Sequence, residues 1–319
     1  MTDFTVVVPE RAFAASVSVT LDILHAARAL APRCGAAAPR WRLCSLHGGS
    51  VRLQRGVSVE TARLPRSGRD ASVWIVPALG MDEPGSLRRR LDEPDAGEIA
   101  ARLRRHVVRG GQAAASCSAV FLFQRAGLLA GRTATTAWWL APLLSRLEPE
   151  CRVDADRMIC EDGGVVTAGA ALAQTDLVLY LLRRRCGNAL AESVSRMLLI
   201  DGREAQAPFI APALLAAGNA LVAQLTTRIE SSLPAVPTVA ALAAERCMSE
   251  RTLARHVRRA TGKSPLALIQ SVRLQRARAL LEHSRMPIER IAAEVGYQDP
   301  TALRRLMKKL TGTTPSAYR

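Results

Sequence analysis

One segment of the sequence has the residue order of a reactive elbow. In GGQAAASCSAVFLFQRAGLLAGRTATTAWW, residues 110–139, a buried β-strand leads through Ser116, Cys117, Ser118 and Ala119 directly into a helix. A strand-to-helix turn of this kind exposes the nucleophile of several α/β hydrolases. At such a helix N-terminus the dipole and the free N–H groups favour a thiolate and can hold an anion. Catalysis would also need a base and a group to orient it. The N-terminal histidines His25, His47 and His106 fall in unrelated elements, and none belongs to a metal-spaced set. Cys117 therefore reads either as a small buried filler, which free cysteine often is, or as one wall of a ligand pocket. That pocket would sit at the carboxyl ends of the sheet strands. Ala78, Leu79, Gly80, Ser116, Cys117, Ser118, Ala119, Thr135, Thr136 and Ala137 would line it.

A second group of chemistry-bearing residues is basic and occurs twice. LAAERCMSERTLARHVRRATGKSP begins at Leu242, and IAAEVGYQDPTALRRLMKKLTGTTP begins at Ile291. Both open on an aliphatic residue followed by Ala-Ala-Glu, and both end on Thr-Gly-x-Ser/Thr-Pro. Each carries an Arg at the matching place (Arg255 and Arg305) and a basic pair (Arg258-Arg259 and Lys308-Lys309). One supersecondary unit has been used twice. The pattern predicts helix, tight turn, helix in each copy. Val239–Arg246 precedes Glu250–Ala260, with Ser249 as N-cap; Ile288–Val295 ends at Gly296, and Asp299 or Thr301 caps the next helix with Pro300 in its first turn. Between the copies, 265–282 reads as a spacer helix with Ile269, Val272, Leu274, Ala277, Leu280 and Leu281 on its buried stripe.

A helix-turn-helix places its second helix in the major groove, N-terminal part toward the base edges. The base-facing candidates are Glu250, Arg251, Ala254 and Arg255 in the first copy and Thr301, Ala302, Arg304 and Arg305 in the second. Ser249, Arg258, Arg259, Lys308 and Lys309 are placed for phosphate. Residues 237–319 hold 16 Lys and Arg against 6 Asp and Glu, a surplus suited to a phosphate backbone. A helical bundle whose basic faces bind protein is the competing reading, and the repeated caps and turns count against it.

The elements that must carry these residues fall into two parts. Over the first two hundred residues, strands at Phe4–Val8, Trp41–Leu46, Val73–Val76, Gln112–Ser116 and Val165–Ala168 alternate with helical patterns at Val17–Leu30, Ile99–Val108, Val120–Ala130 and Leu172–Arg184. This predicts an α/β sandwich with a mostly parallel sheet. A domain of residues 1–200 is followed by a connecting stretch, 201–236, with a helix at Leu214–Glu230, and by an all-helical domain, 237–319. The formal charge of +16 over 319 residues fits a polyanionic partner. Heavy Ala and Arg usage also fits a GC-rich genome. No run of eighteen apolar residues lacks a charge, so no membrane partner is expected. The seven cysteines show no paired zinc spacing and no disulfide framework, which fits a reducing cytoplasm. No cofactor or metal is called for.

The closing stretch IAAEVGYQDPTALRRLMKKLTGTTPSAYR, with MSERTLARHVRRATGKSP, closely resembles the DNA-binding domain of the AraC/XylS family of bacterial regulators. The family usually has phenylalanines where this chain has Leu303 and Met307, swaps that keep the core apolar. The resemblance implies recognition helices in successive major grooves on one DNA face. The elbow, VWIVPALG, AGLLAGRTATTAWW and VVTAGAALAQTDLVLYLLRR are similar to the PfpI-type domain, within the class I glutamine amidotransferase-like superfamily, of GlxA-type AraC regulators. This implies a three-layer, flavodoxin-like α/β sandwich. Catalysis in that superfamily uses the elbow cysteine, a histidine after a Thr-Thr pair and an acid near the first helix. Here Ala137 follows Thr135-Thr136, and the acidic position falls at about Ser16, which the resemblance adds to the candidate pocket. The resemblance therefore implies a catalytically degenerate domain that binds a small-molecule effector or pairs two copies of the chain. Promoter DNA, RNA polymerase and a second copy are the expected macromolecular partners.

Overall fold

The computed structural model describes residues 2–65, 70–80, 84–200, 203, 205–206, 219–311 and 314–318. The chain divides into two units, Met1–Arg203 and Glu204–Arg319.

In the first unit the elements run β1 (Phe4–Val7), α1 (Ala14–Leu30), β2 (Trp41–Ser45), β3 (Gly49–Arg52), β4 (Ser58–Arg63), β5 (Val73–Val76), α2 (Pro84–Asp92), α3 (Pro94–Val108), β6 (Gln112–Ser116) and α4 (Val120–Arg125). They continue with β7 (Thr133–Ala134), α5 (Ala141–Leu147), β8 (Arg152–Val153), β9 (Ile159–Asp162), β10 (Val165–Ala168), α6 (Gln174–Cys186) and α7 (Asn188–Met197). Strands β3-β4-β2-β1-β5-β6-β10-β9 form one sheet in that order. The six from β4 to β10 pair in parallel, and β3 and β9 close the two edges antiparallel.

Helices cover both faces, which explains why β1, β5 and β10 are buried at every position and read as mainly apolar runs, interrupted by Thr5 in β1 and Thr167 in β10. On one face Leu87, Ile99, Leu103, Phe121 and Leu144 from α2–α5 build one core; on the other Val17, Ile23, Leu24, Leu177, Leu181 and Leu190 from α1, α6 and α7 build the second. The three-layer sandwich is present as the sequence implied. Residues 14–34 are long and apolar enough to cross a membrane by length and composition, yet the inner face of α1 is spent on this second core. All seven cysteines are free thiols.

Three expectations need correction. Helix α4 stops at Arg125 rather than Ala130, because the chain turns through Gly127 at φ 64°, a conformation glycine adopts without strain. Strands β3, β4, β7, β8 and β9 were not anticipated; β3 and β9 are the edges of the main sheet and β4 lies one strand in from the β3 edge, and sequences such as SVETAR and ICED lack the apolar run of a doubly covered strand. The helix assigned to the connecting stretch is Ala220–Ser231 (α8), and it belongs to the second unit. Its Val222, Leu225 and Ile229 are buried with Leu242, Leu253 and Val257, and Arg228 pairs with Glu245 at 2.8 Å. Residues 207–218, including the start of the expected helix, lie outside the described residues.

The second unit continues with α9 (Val239–Ala244), α10 (Glu250–Thr261), α11 (Pro265–His283), α12 (Ile288–Glu294) and α13 (Pro300–Thr311). Helix α11 serves two cores. Leu268, Ile269 and Val272 pack with α8–α10, while Leu274, Ala277 and Leu281 pack with α12 and α13.

His106 on α3 is buried, stacked on Trp74 with ring centroids 4.4 Å apart, and its Nε2 lies 3.1 Å from the Gln112 carbonyl. Burial is the largest influence and pushes its pKa below the usual imidazole value; Gln112 and the nearby Asp70 oppose the shift, and Arg42 adds to it. The native state thus favours neutral His106, and the unfolded chain takes up a proton as pH falls below about 6.5. Stability of this unit is therefore complete above that value and is lost as pH falls through it toward the folded pKa. Urea unfolding across this window is expected to show the loss, and a smaller loss in His106→Gln; an equal loss in both proteins would refute the assignment.

Candidate nucleic-acid interface and elbow site

Each helix-turn-helix is set by local chemistry. In the first copy Thr238 caps α9 and Ser249 caps α10, each side-chain oxygen accepting a backbone N–H from Ala241 and Thr252 at 3.1 and 3.2 Å. In the second, Asp299 rather than Thr301 is the cap, accepting the Thr301 N–H at 2.7 Å. That hydrogen bond holds the Asp299 carboxyl below the usual carboxylate range, with the Thr301 hydroxyl next in weight. The turn residues are Cys247 at φ 53° and Gly296 at φ 85°, at equivalent places in the two copies. The closing threonines also match, with Thr261 and Thr311 each donating a side-chain hydroxyl to the carbonyl four residues back at 2.8 Å. Leu303 and Met307 are fully buried, so they fill the core positions for which the sequence reading assigned them.

The recognition helices α10 and α13 turn 100° per residue. That spacing gathers Arg251, Ala254, Arg255 and Arg258 on one stripe of α10, and Thr301, Arg304, Arg305 and Lys308 on the matching stripe of α13. Glu250 and Ala302 fall at the margins, as do Arg259 and Lys309. Every Arg and Lys in these sets is exposed, as is Ser249, while Ala254, Thr301 and Ala302 are half-buried. Arg304 reaches Glu289 of α12 at 3.5 Å. Arg251, Arg255, Arg258, Arg305, Lys308 and Lys309 make no ion pair among the described residues and present their donors outward.

In the first unit the elbow has the backbone its sequence predicts. Cys117 sits at φ 53°, a left-handed conformation that costs a non-glycine residue energy and gathers at functional sites. Its N–H donates to the Gly169 carbonyl at 2.7 Å, and its own carbonyl accepts the Thr136 hydroxyl at 2.8 Å. Ser118 Oγ accepts the Leu79 N–H at 3.0 Å, so that backbone donor is already committed. Behind the elbow the Ser116 hydroxyl donates to Gln174, Gln174 donates to Thr20, and Thr20 donates to the Ser16 carbonyl, at 2.6, 2.8 and 2.7 Å. Sequence reasoning missed Gln174 and Thr20; a polar side chain inside an apolar helical stretch was the available signal.

The structure thus brings together the residues proposed to line a pocket, and it packs them closed. Ser16, Ala78, Leu79, Ser116, Ser118, Ala119, Thr136 and Ala137 have no exposed surface, and Cys117 is 3% exposed. Gly80 is half-buried, with the Gln54 side-chain amide donating to its carbonyl at 2.6 Å. A ligand reaching these residues would have to open the site. Among the described residues no group of three or more His, Cys, Asp and Glu side chains is placed to share a metal ion.

A helix-turn-helix domain family matches residues 242–319. The HTH-type transcriptional regulator GlxA of Rhizobium meliloti (strain 1021) is 30% identical over 313 residues, spanning 95% of this chain and 91% of that protein. The chain belongs to the GlxA-like regulators of the AraC type. Like its AraC-type relatives it is a DNA-binding transcriptional regulator, and the stripes on α10 and α13 lie within the matched domain. The AraC-type chain shares its first-unit fold with solved structures. An AraC family regulator from Pseudomonas putida aligns at 21% identity with a TM-score of 0.50, over 62% of this chain and all of that one. A ThiJ/PfpI family protein from Pseudomonas syringae aligns at 17% identity and 0.51, over 73% and 87%.

Proposed function

We propose that this regulator reads promoter DNA through Arg251, Arg255, Arg304 and Arg305, anchors on phosphate through Ser249, Arg258, Arg259, Lys308 and Lys309, and activates transcription in response to a small-molecule effector. The matched basic stripes on two capped recognition helices carry this reading. Arg255 and Arg305 occupy equivalent places, so each can present its fork to a guanine edge. The first unit senses the effector and pairs two copies of the chain, and the bound regulator engages RNA polymerase. An effector acts here only through different affinities for two states of the protein. Genome-wide footprinting with purified protein locates the operator, and binding to that fragment with and without metabolite pools tests the response. An operator affinity that no pool alters would remove the effector from this account.

The strained Cys117 elbow favours one rival, a cysteine hydrolase or glyoxalase-like enzyme with a nucleic-acid-binding appendage. Against it stand Ala137 where a histidine base would follow the Thr-Thr pair, Ser16 where the acid would stand, and the Leu79 N–H already held by Ser118. The expected outcome is no turnover of simple amides or methylglyoxal, and operator affinity unchanged in Cys117→Ser. Turnover lost in that variant would establish the rival.

A further inference from the structure

With the elbow packed shut, one open space among the described residues of the first unit lies one helix away. Between α2, α4 and α5 is a cavity of about 260 Å³, floored by Leu87, Leu91, Phe121 and Leu143, all buried. One wall is pinned. Arg90 of α2, 2% exposed, holds Asp95 with both nitrogens at 2.8 and 2.6 Å and the Glu10 carbonyl at 3.1 Å. The opposite wall, α4, starts directly after the elbow turn.

The rim is charged. Arg88 and Arg125 stand at the opening with Asp92. Arg88 makes no ion pair among the described residues, and Arg125 approaches Asp92 only at 4.0 Å, with Asp92 largely exposed. Two guanidinium groups against one loosely held carboxylate leave the opening positive, and a planar fork matches a carboxylate in two-point geometry. An apolar floor rewards a hydrocarbon body. Sites for drug-sized ligands run from ~300 Å³ upward, so a cavity of about 260 Å³ suits a smaller body.

We propose that this cavity binds a small carboxylate with an apolar body, its acid group on Arg88 and Arg125 and its hydrocarbon against Leu87, Leu91, Phe121 and Leu143. That this ligand is the regulator's effector rests on the function proposed above. An occupant would bear directly on α4 and so on the elbow from which α4 starts, which gives a packed-shut elbow a way to respond without admitting the ligand.

The test is calorimetric titration of the full-length protein with 4-phenylbutyrate, phenylacetate and hexanoate, and with 4-phenylbutylamine, which keeps the body and reverses the charge. Carboxylate binding is expected to be at least about tenfold tighter than amine binding, and to weaken about tenfold or more in Arg88→Gln plus Arg125→Gln. Both positions are exposed, so the variant is expected to fold, which circular dichroism checks. Three results would overturn the site: no heat from any carboxylate up to ~10 mM, equal binding of amine and acid, or binding indifferent to the two arginines. A double variant that changes the oligomeric state instead would reassign the groove to contact with a second copy. Operator affinity measured at saturating 4-phenylbutyrate is a separate readout. If the acid binds with the expected dependence and operator affinity stays constant, the site stands and its effector role falls.

Discussion

Replacing Arg255 and Arg305 together by Ala is expected to weaken operator binding by between about 30-fold and 10⁴-fold. Each bidentate arginine–guanine contact discriminates by about 1–3 kcal/mol, and contacts in separate grooves add when they share no partner. Both side chains are exposed and make no ion pair among the described residues, so their loss leaves the fold intact. Specificity should relax at one base position in each half-site while non-specific affinity changes little. The basic pairs behave differently. Lys308→Ala and Lys309→Ala should weaken binding to all sequences alike and flatten the dependence of log K on log salt by about 0.9 for each phosphate contact removed. Fluorescence anisotropy on operator and scrambled duplexes over a salt series separates the two patterns. Equal losses on both duplexes in the arginine variant would show that Arg255 and Arg305 hold phosphate, not bases.

The turn residues give the second large effect, with opposite signs in the two copies. Gly296 stands at φ 85°, and a Cβ there would collide with the Pro234 carbonyl oxygen and crowd the Arg273 guanidinium, which lies over the Tyr297 ring at 4.9 Å. Gly296→Ala combines a left-handed backbone cost of about 1–2 kcal/mol with overpacking of about 1–3 kcal/mol, because backbone cannot yield as a long side chain would. A loss of about 2–5 kcal/mol is expected. Cys247 holds the same turn in the first copy at φ 53° and is exposed. Cys247→Gly removes the strain and should stabilise the second unit by several tenths of a kcal/mol to about 1, the gain being reduced by glycine's greater freedom in the unfolded chain. Denaturant midpoints of the two variants, measured side by side, decide the matter. A Gly296→Ala protein as stable as wild type would mean that Pro234 does not pack against the turn.

Much of this was legible in the sequence, for identifiable reasons. Residues such as Phe4–Val7 and Val73–Val76 are covered on both faces, so their burial is written as short, mainly apolar runs, and β5 and β6 were read to the residue. The second unit was readable through its repetition, since Ser249, Gly296 and Asp299 mark turns that only certain side chains supply. Edge strands carried no such mark. The SVETAR of β4, one strand in from the β3 edge, looks polar because none of its residues is fully buried, and PGSLRRRLD of α2 hides a buried Arg90 among exposed arginines. The elbow itself was found from Ser116–Ala119, but whether its pocket is open depends on Gln54 reaching Gly80 from a hairpin that was not foreseen. Closure is a tertiary property of side chains far apart in the chain, and no local pattern encodes it. The α8 helix was visible as a helix, yet its allegiance came from Val222, Leu225 and Ile229 meeting partners from Leu242 to Val272, as far as 50 residues on.

The sharing of α11 between two cores has a consequence for the DNA itself. A 19-residue helix is about 28 Å long, and both of its halves are locked into packing, so the two reading heads are fixed to one ruler. Inserting a single base pair between the half-sites moves one of them about 3.4 Å along the duplex and roughly 34° around it. Packing of its two halves into the two cores opposes that screw motion. Genuine operators for this regulator should therefore keep one invariant spacing, and that spacing is a criterion for separating them from chance matches in a genome.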